Sequence, residues 1–269
     1  MMRLRLACCA LLASLPAAGA RAQGPGVEVE TRGDVEEVRN PLDFISHMGE
    51  PIPADAPKTK EAVLRTLGRL TAKGDRDSNP DLVAAWNLLD QTDALSEKEK
   101  ADWVERRIAD LPPPFVMLAA VYRSADDPAR GMELYLFSRI RLTIDASKCA
   151  DPSAEEAAMS VVQLVLPRLD IGVDRSKVSD EESERVFTDL IRRSAPAALR
   201  RHETTPSRAA HPWWVAHAGI REIVADLVGR SDKGESGSRA RDLFKPEKEW
   251  PQIEREIVDG FRDQLTAAR

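Results

Sequence analysis

Apolar residues recur at intervals of three and four along most of the chain after residue 58, which is the period of an amphipathic helix. In the first such stretch the apolar positions are Val63, Leu64, Leu67 and Leu70. Gly74 follows them, and a glycine at this place is typical of a helix C-cap. The same spacing returns near the end of the chain, at Ile253, Ile257, Phe261 and Leu265. The pattern predicts an all-α fold with one helical domain over residues 58–269.

Capping residues and prolines mark where several helices begin and end. Ser96 has Glu99 three residues later, and Ser179 has Glu182, which is the spacing of a capping box. The prolines at 112–114 interrupt the helical pattern between these starts, and Pro167 is expected to end a later helix. The helix that starts at Ser179 is predicted to reach residue 196. These signals divide the chain into about nine helices with almost no strand.

Residues 113–142, PPFVMLAAVYRSADDPARGMELYLFSRIRL, predict two antiparallel helices joined by the polar turn SADDP. Small residues stand among large ones, which allows the two helices to approach closely; they are Ala119, Ala120 and Gly131. The stretch resembles a tetratricopeptide-type hairpin of about thirty residues, with Gly131 and Met132 where the motif usually has alanine. The resemblance implies antiparallel hairpins stacked in a tetratricopeptide-like array with a concave binding surface. A clear second copy of the motif is missing from the sequence.

The region before the first helix has a different composition. Residues 27–31, VEVET, alternate apolar and charged positions and predict one short strand. GEPIPADAPK, at 49–58, has three prolines in ten positions, which prevents a helix. We therefore predict an extended N-terminal arm over residues 23–57 that lies over the core or is partly disordered. A second non-helical segment, the polar residues 230–241, is predicted to be an exposed loop.

The first 22 residues have the order of a secretory signal peptide. Arg3 and Arg5 precede an apolar run over residues 6–18, and Ala20-Arg21-Ala22 supplies the small residues of a cleavage site after Ala22. The run is too short for a transmembrane anchor, since a spanning helix needs about 20 apolar residues. A lipoprotein is the less favoured alternative, because the cysteines at 8 and 9 begin the apolar run instead of ending it. The sequence predicts a periplasmic or secreted protein.

Charge and cysteine content argue against two classes of protein, those that bind nucleic acid and those built on internal disulfides. Residues 1–22 contain three arginines and no acidic residue, so the chain from Gln23 has 36 basic and 45 acidic side chains and a formal net charge of −9. An acidic protein repels phosphate backbones, so nucleic acid is not predicted as a partner. Cys149 is the single cysteine after the signal peptide, which excludes an internal disulfide. We expect it to be a small apolar side chain partly buried in a turn, with a reactive thiol as the alternative.

A longer resemblance is based on three phrases: PPPF at 112–115, KCADPSA at 148–154, and HPWWVAHAG at 211–219 preceded by Thr205 and Pro206. With these phrases the chain resembles an uncharacterised set of exported bacterial proteins, some of which have a tetratricopeptide-like region. Some members of that set lie beside genes for secretion-system effectors. The resemblance implies an immunity or accessory role, and it implies no catalytic residue.

Residues 202–220, HETTPSRAAHPWWVAHAGI, hold three of the four histidines, and a hydrolase site there is one interpretation. A metal-dependent site would use His211, His217 and Cys149. The two histidines are six residues apart, whereas ligands on one helix face are three or four apart. The sequence also lacks the nucleophile elbow, the phosphate-binding loop and the dinucleotide fingerprint. We therefore predict no cofactor and no metal, and keep the hydrolase as the alternative.

The favoured interpretation of the same stretch is structural. Trp213 and Trp214 are expected to pack against neighbouring helices ahead of an amphipathic helix, with His217 as a polar member of the core. A groove lined by Tyr122, Tyr135, Trp213 and Trp214 is the candidate site for a protein or peptide partner, although ordinary core packing is the preferred interpretation of these aromatic residues. The sequence thus predicts a non-enzymatic protein-interaction module of unidentified partner.

Overall fold

The computed structural model describes residues 44–72, 79–174, 176–206, 211–216 and 243–267. Residues 265–267 are described by their backbone alone. The helices in these ranges are α1 (Lys60–Leu70), α2 (Asn79–Gln91), α3 (Glu97–Glu105), α4 (Pro113–Asp126), α5 (Pro128–Ser147), α6 (Ser153–Val165), α7 (Asp180–Thr204), α8 (Trp213–Ala216) and α9 (Trp250–Ala267). Two 3₁₀ turns, Leu166–Arg168 and Glu247–Glu249, accompany them. The described ranges contain no β-strand, so the predicted all-α class is confirmed for them.

Helices α1 and α2 pack against each other at the N-terminal end of the described fold. Thr59 caps α1 by accepting a hydrogen bond from the Ala62 N–H, and the buried face of the helix consists of Val63 and Leu67. The helix ends at Leu70, before the predicted Gly74, which lies outside the described residues. The predicted apolar face is therefore correct, and the predicted helix end is four residues too late.

Helix α3 begins with the capping box that the sequence predicts. The Ser96 hydroxyl accepts a hydrogen bond from the Glu99 N–H, and the Glu99 carboxylate accepts one from the Ser96 N–H at 2.9 Å. The helix ends at Glu105, and the chain continues through turns to Leu111. Pro113 and Pro114 then occupy the first turn of α4, where a proline costs no backbone hydrogen bond.

The join between α4 and α5 is tighter than predicted. The sequence suggested a five-residue turn over 124–128, but Asp127 alone separates the two helices, and its side chain caps α5 by accepting from the Arg130 N–H. The helices pack closely at Gly131, as its small size predicts. A Cβ at Gly131 would lie 2.5 Å from the Ser124 Cβ and 2.6 Å from the Ser124 Cα, which is less than any van der Waals separation. Only glycine allows this approach.

Helix α5 lies at the centre of the fold. Thirteen of its 20 residues are buried, so the helix is covered on all sides. Helices α4, α6, α7, α8 and α9 all pack against it. Its buried Arg141 donates hydrogen bonds to the carbonyls of Ile108 and Leu111, and thereby fixes the turns that lead into α4.

A network of ion pairs joins four helices along one side of this centre. Arg123 of α4 pairs with Asp102 and Glu105 of α3, Arg130 of α5 pairs with Glu105 and Glu133, and Arg201 of α7 pairs with Glu133. The Glu105 and Glu133 side chains are only 16% and 14% exposed, so these pairs are partly shielded from water. The network fixes the relative positions of α3, α4, α5 and α7.

Prolines were predicted to end two helices, α6 near Pro167 and α7 at Pro196. Helix α6 ends at Val165, and Pro167 lies in the 3₁₀ turn that follows, as predicted. Ser179 caps α7 by accepting from the Glu182 N–H, which is also as predicted. However, α7 does not end at Pro196 but continues to Thr204. Pro196 is exposed and the neighbouring Ala195 and Ala198 are buried, so packing of the inner face maintains the helix while water can replace the lost hydrogen bond.

The end of the chain returns to the centre of the fold. The Ala150 N–H donates to the Leu243 carbonyl at 2.9 Å, and the Lys245 N–H donates to the Lys148 carbonyl at 2.8 Å. Helix α9 then packs against α5 and α7 with Val258 and Phe261 buried. Of the helices described, none has the length and apolarity needed to cross a membrane.

Several predictions fall outside the described residues. They are the signal peptide at 1–22, the strand at 27–31 and the first part of the arm, the amphipathic helix after Ala216, and the loop at 230–241. The described part of the predicted arm, residues 44–57, consists of turns and irregular chain without a helix.

Candidate functional site

Three of the four aromatic residues predicted to bind a partner are buried. Tyr135 is completely buried, and Tyr122 and Trp214 are 4% and 3% exposed. The Tyr122 hydroxyl donates to the Asp90 carboxylate at 2.9 Å, and burial raises the pKa of Tyr122. These side chains have almost no surface for a partner, so their assignment to a groove is corrected to core packing. Trp213 is partly exposed.

Trp214 connects α8 to the end of α5. Its indole Nε1–H donates to the Asp145 Oδ2 at 2.9 Å. Loss of water around Asp145 raises the pKa of its carboxyl, although the nearby Arg141 acts in the opposite direction. At the same corner the Asn79 Nδ2 donates to the Trp213 carbonyl at 2.9 Å, so α2 also holds α8 in place. The residues around Trp214 form the packed corner that the sequence favoured.

Trp213 belongs to a cluster of four rings with His211, Phe244 and Trp250. The His211 ring centroid lies 5.6 Å from that of Trp213, 5.0 Å from that of Phe244 and 5.2 Å from that of Trp250. Rings at these separations are in direct contact, so His211 packs against all three of the other rings. The cluster fastens residues 211–216 to residues 243–250.

The metal-dependent alternative requires His211, His217 and Cys149 to converge. His211 lies among the aromatic rings, with its Nε2 3.4 Å from the Glu247 carboxylate, and His217 lies outside the described residues. Across the described ranges, no three His, Cys, Asp or Glu side chains are grouped so that they could hold a metal ion. The described residues therefore provide no group of side chains that supports the hydrolase alternative.

Cys149 has the environment of an inert thiol. It is buried in the turn after α5, and its Sγ donates to the Asp145 carbonyl at 3.6 Å. Burial, together with the negative charge of Asp145, raises the pKa of Cys149 to about 12. The prediction of a small buried residue in a turn describes this cysteine correctly. At neutral pH it is a protonated thiol and a poor nucleophile.

The most distinctive polar contacts lie on α2, where two amide side chains hold a non-helical segment of the chain. The Asn87 Oδ1 accepts a hydrogen bond from the Gly49 N–H at 2.7 Å, and the Asn87 Nδ2 donates to the His47 carbonyl at 3.0 Å. One turn later, the Gln91 Oε1 accepts from the Ile52 N–H at 3.2 Å, and the Gln91 Nε2 donates to the Glu50 carbonyl at 2.6 Å. We call Asn87 and Gln91 the amide clamp.

The amide clamp recognises backbone and not side chains. An amide group has both a donor and an acceptor, so each of the two side chains can pair with one N–H and one carbonyl of a passing chain. Residues four apart on a helix lie on the same face, so Asn87 and Gln91 act on consecutive parts of one segment. This arrangement can hold an irregular or extended peptide through its backbone, since none of the four hydrogen bonds involves a side chain of the held segment.

An aromatic pocket lies at the start of the clamped segment. Phe44 is completely buried, with its ring centroid 6.3 Å from that of Phe115 and 6.3 Å from that of Trp214. Phe115 comes from the first turn of α4 and Trp214 from α8, so the pocket joins three parts of the fold. The pocket and the amide clamp together form the candidate binding site.

The sequence analysis did not identify the amide clamp. Asn87 and Gln91 look like ordinary polar positions on the outer face of a helix, and their partners are about forty residues away. The available signal was two amide residues four apart on the second helix after a proline-rich segment. That signal is weak because many exposed helix faces contain Asn and Gln.

No family model, no curated protein and no solved structure matches the chain. The described residues define an all-α protein with one helix face that holds a non-helical chain segment by its backbone.

Proposed function

We propose that this protein is a non-enzymatic, exported helical interaction module that binds an extended segment of another protein. The observation that supports the proposal is the amide clamp, which already holds a chain segment through four backbone hydrogen bonds. Such bonds give affinity for any chain that can adopt the same path, and neighbouring pockets add specificity.

The helical arrangement supports the same function. In the proposal, the α4–α5 hairpin is a tetratricopeptide-like unit, and the hairpins of the chain stack into an array with a binding face. The close approach of α4 and α5 at Gly131 is the packing that such a hairpin needs. Stacked helix pairs present surfaces suited to peptides and protein loops.

The proposed location is the periplasm or the cell exterior, and it rests on the signal-peptide pattern of residues 1–22. An immunity or accessory role in a secretion system is the proposed biological setting, supported by the resemblance of the phrases at 112–115, 148–154 and 211–219. The formal charge of −9 after Ala22 favours a basic partner through long-range attraction.

The proposal is tested by capturing partners in the producing cell. The full chain with a C-terminal affinity tag is expressed with its leader, cross-linked in the periplasm and purified, and bound proteins and metals are measured in the same sample. The decisive variant is Asn87→Ala with Gln91→Ala. Its matched control is Gln163→Ala, because Gln163 is an exposed amide on α6.

We expect one stoichiometric protein partner with the wild type and with Gln163→Ala, and loss of that partner with the double variant. If the double variant retains the partner, the amide clamp is not the binding site. Stoichiometric metal with hydrolytic turnover and no partner would contradict the interaction function and return attention to His211 and His217.

A further inference from the structure

The candidate site is occupied in this structure by the chain itself. We propose that residues 44–52 are an internal ligand of the amide clamp, and that the partner presents a segment of the same chemistry and displaces them. That segment is irregular or extended, with an aromatic residue five positions before a glycine. This inference rests on the proposed function and names its ligand class and its regulation.

The aromatic position follows from the pocket. Phe44 is the one buried residue among residues 44–59, and all others in that range are at least partly exposed. Its neighbours Phe115 and Trp214 present apolar ring surface, and the Trp214 N–H is already bonded to Asp145. A displacing segment therefore needs a large apolar ring at this position to avoid an empty pocket.

The glycine position follows from the backbone. Gly49 has φ +84°, a conformation that costs an L-residue more than a glycine. Nothing lies within 4 Å of a Cβ built at Gly49, so the requirement is conformational and not steric. In the internal ligand, the Gly49 N–H points at the Asn87 Oδ1 while Gly49 has this positive φ.

The internal ligand buries little of its side-chain surface. Phe44 is its one buried residue, and the amide clamp bonds its backbone to α2. Segments with few buried apolar contacts open at a small fraction of the global unfolding free energy. The link through residues 53–59 gives the internal ligand a high effective concentration, of millimolar order for short links. A separate peptide therefore binds the wild type weakly. A substitution that weakens the internal ligand increases the apparent affinity of the protein for that peptide.

The test uses a fluorescein-labelled synthetic peptide that copies residues 43–54, titrated with the full chain and followed by fluorescence polarisation. The variant Gly49→Ala strains the internal ligand and leaves Asn87, Gln91, Phe115 and Trp214 intact. Gly68→Ala is the matched control, because Gly68 lies on α1 and nothing is within 4 Å of its added Cβ. We expect the probe to bind Gly49→Ala at least about tenfold more tightly than it binds the wild type or Gly68→Ala, since the αL conformation disfavours alanine by that order.

Two further arms identify the site. Adding Asn87→Ala and Gln91→Ala to Gly49→Ala should abolish probe binding, and a probe with alanine in place of its phenylalanine should not bind. Phe44→Ala empties the pocket by a second route and should also increase probe affinity. The inference is overturned if neither Gly49→Ala nor Phe44→Ala binds the probe more tightly than the wild type, or if binding persists without the amide clamp.

Other outcomes separate this inference from the proposed function. Dimerisation of Gly49→Ala, seen by light scattering and without probe binding, would mean that a second copy supplies the segment, and this would overturn displacement by a partner peptide. If the probe fails but partner capture depends on Asn87 and Gln91, the interaction function stands and the internal ligand is wrong. Probe binding with no captured partner would support the internal ligand and count against the proposed function.

Discussion

Helix α5 and the segment 44–57 are held in the fold in different ways. Thirteen of the 20 residues of α5 are buried, and five helices pack against it. In residues 44–57 only Phe44 is buried, and side-chain amides of α2 hold the backbone. Burial makes the position of α5 depend on the whole core, whereas we expect the segment to open with the loss of a single buried side chain, Phe44. The part of the fold suited to exchange with a partner is therefore at its edge.

The largest expected effect concerns Cys149, directly after α5. A pKa of about 12, against an ordinary value near 9, lowers the thiolate fraction at pH 8 about a thousandfold. We expect Ellman's reagent to react with the folded chain from Gln23 more slowly than with the same chain in guanidinium chloride by at least that factor. Reaction of the folded protein at the rate of a free thiol would show that the end of α5 is open to solvent.

The next effect is at the closest approach of α4 and α5. Gly131→Ala would place a Cβ against the Ser124 backbone, and we expect it to lower the free energy of unfolding by about 3 kcal/mol. Gly68→Ala is the control; it lies in a helix with free space around it and should stabilise the protein by up to about 1 kcal/mol. Urea unfolding followed by circular dichroism measures both. Equal stability of the two variants would refute the close packing of α4 on α5.

At the edge of the fold, we expect Phe44→Ala to release residues 44–57 locally. The variant loses the transfer free energy of one buried ring, about 2 kcal/mol, which corresponds to roughly thirtyfold faster opening. Tryptic cleavage after Lys58 reports this opening, and Met48→Ala is the control because Met48 is partly exposed. If Phe44→Ala instead lowers the global unfolding midpoint without faster cleavage at Lys58, the segment is part of the core and the comparison fails.

The smallest effect is at the exposed contact between α1 and α3. The ion pair with Lys60 and the hydrogen bonds from Ser96 lower the pKa of Glu99 to about 2, from 4.5. Because the folded pKa is the lower one, this contribution to stability is present above pH 4.5 and is lost as the pH falls towards 2. Carboxyl NMR titration should give a midpoint for Glu99 well below those of other exposed glutamates, and Lys60→Met should raise it. An ordinary midpoint in the wild type would contradict the pairing.

Local chemistry explains which features could be predicted from the sequence. The capping box of Ser96 and Glu99 depends on residues three apart, and the packing at Gly131 depends on the size of one residue. Ser179 similarly starts α7 as its spacing predicts. Each of these features is determined within a few residues of chain, so the pattern was sufficient.

The errors occurred where distant contacts outweighed local preference. Pro196 signals a helix end, but the buried faces at Ala195 and Ala198 continue α7 past it. Tyr122 and Tyr135 were candidate groove residues, and the neighbouring helices bury them. The amide clamp joins residues about forty positions apart, and no local pattern connects Asn87 to Gly49. The most informative part of the candidate site was therefore visible only in three dimensions.

The most direct test of the account is amide hydrogen exchange at Gly49 and Ile52, whose N–H groups bond to Asn87 and Gln91. We predict that both amides are protected in the wild type and in Gln163→Ala. In the Asn87→Ala, Gln91→Ala double variant both should exchange at least about tenfold faster, while the amides of α5 keep their protection. Unchanged protection at Gly49 and Ile52 in the double variant would contradict the amide clamp, and with it the proposed binding site.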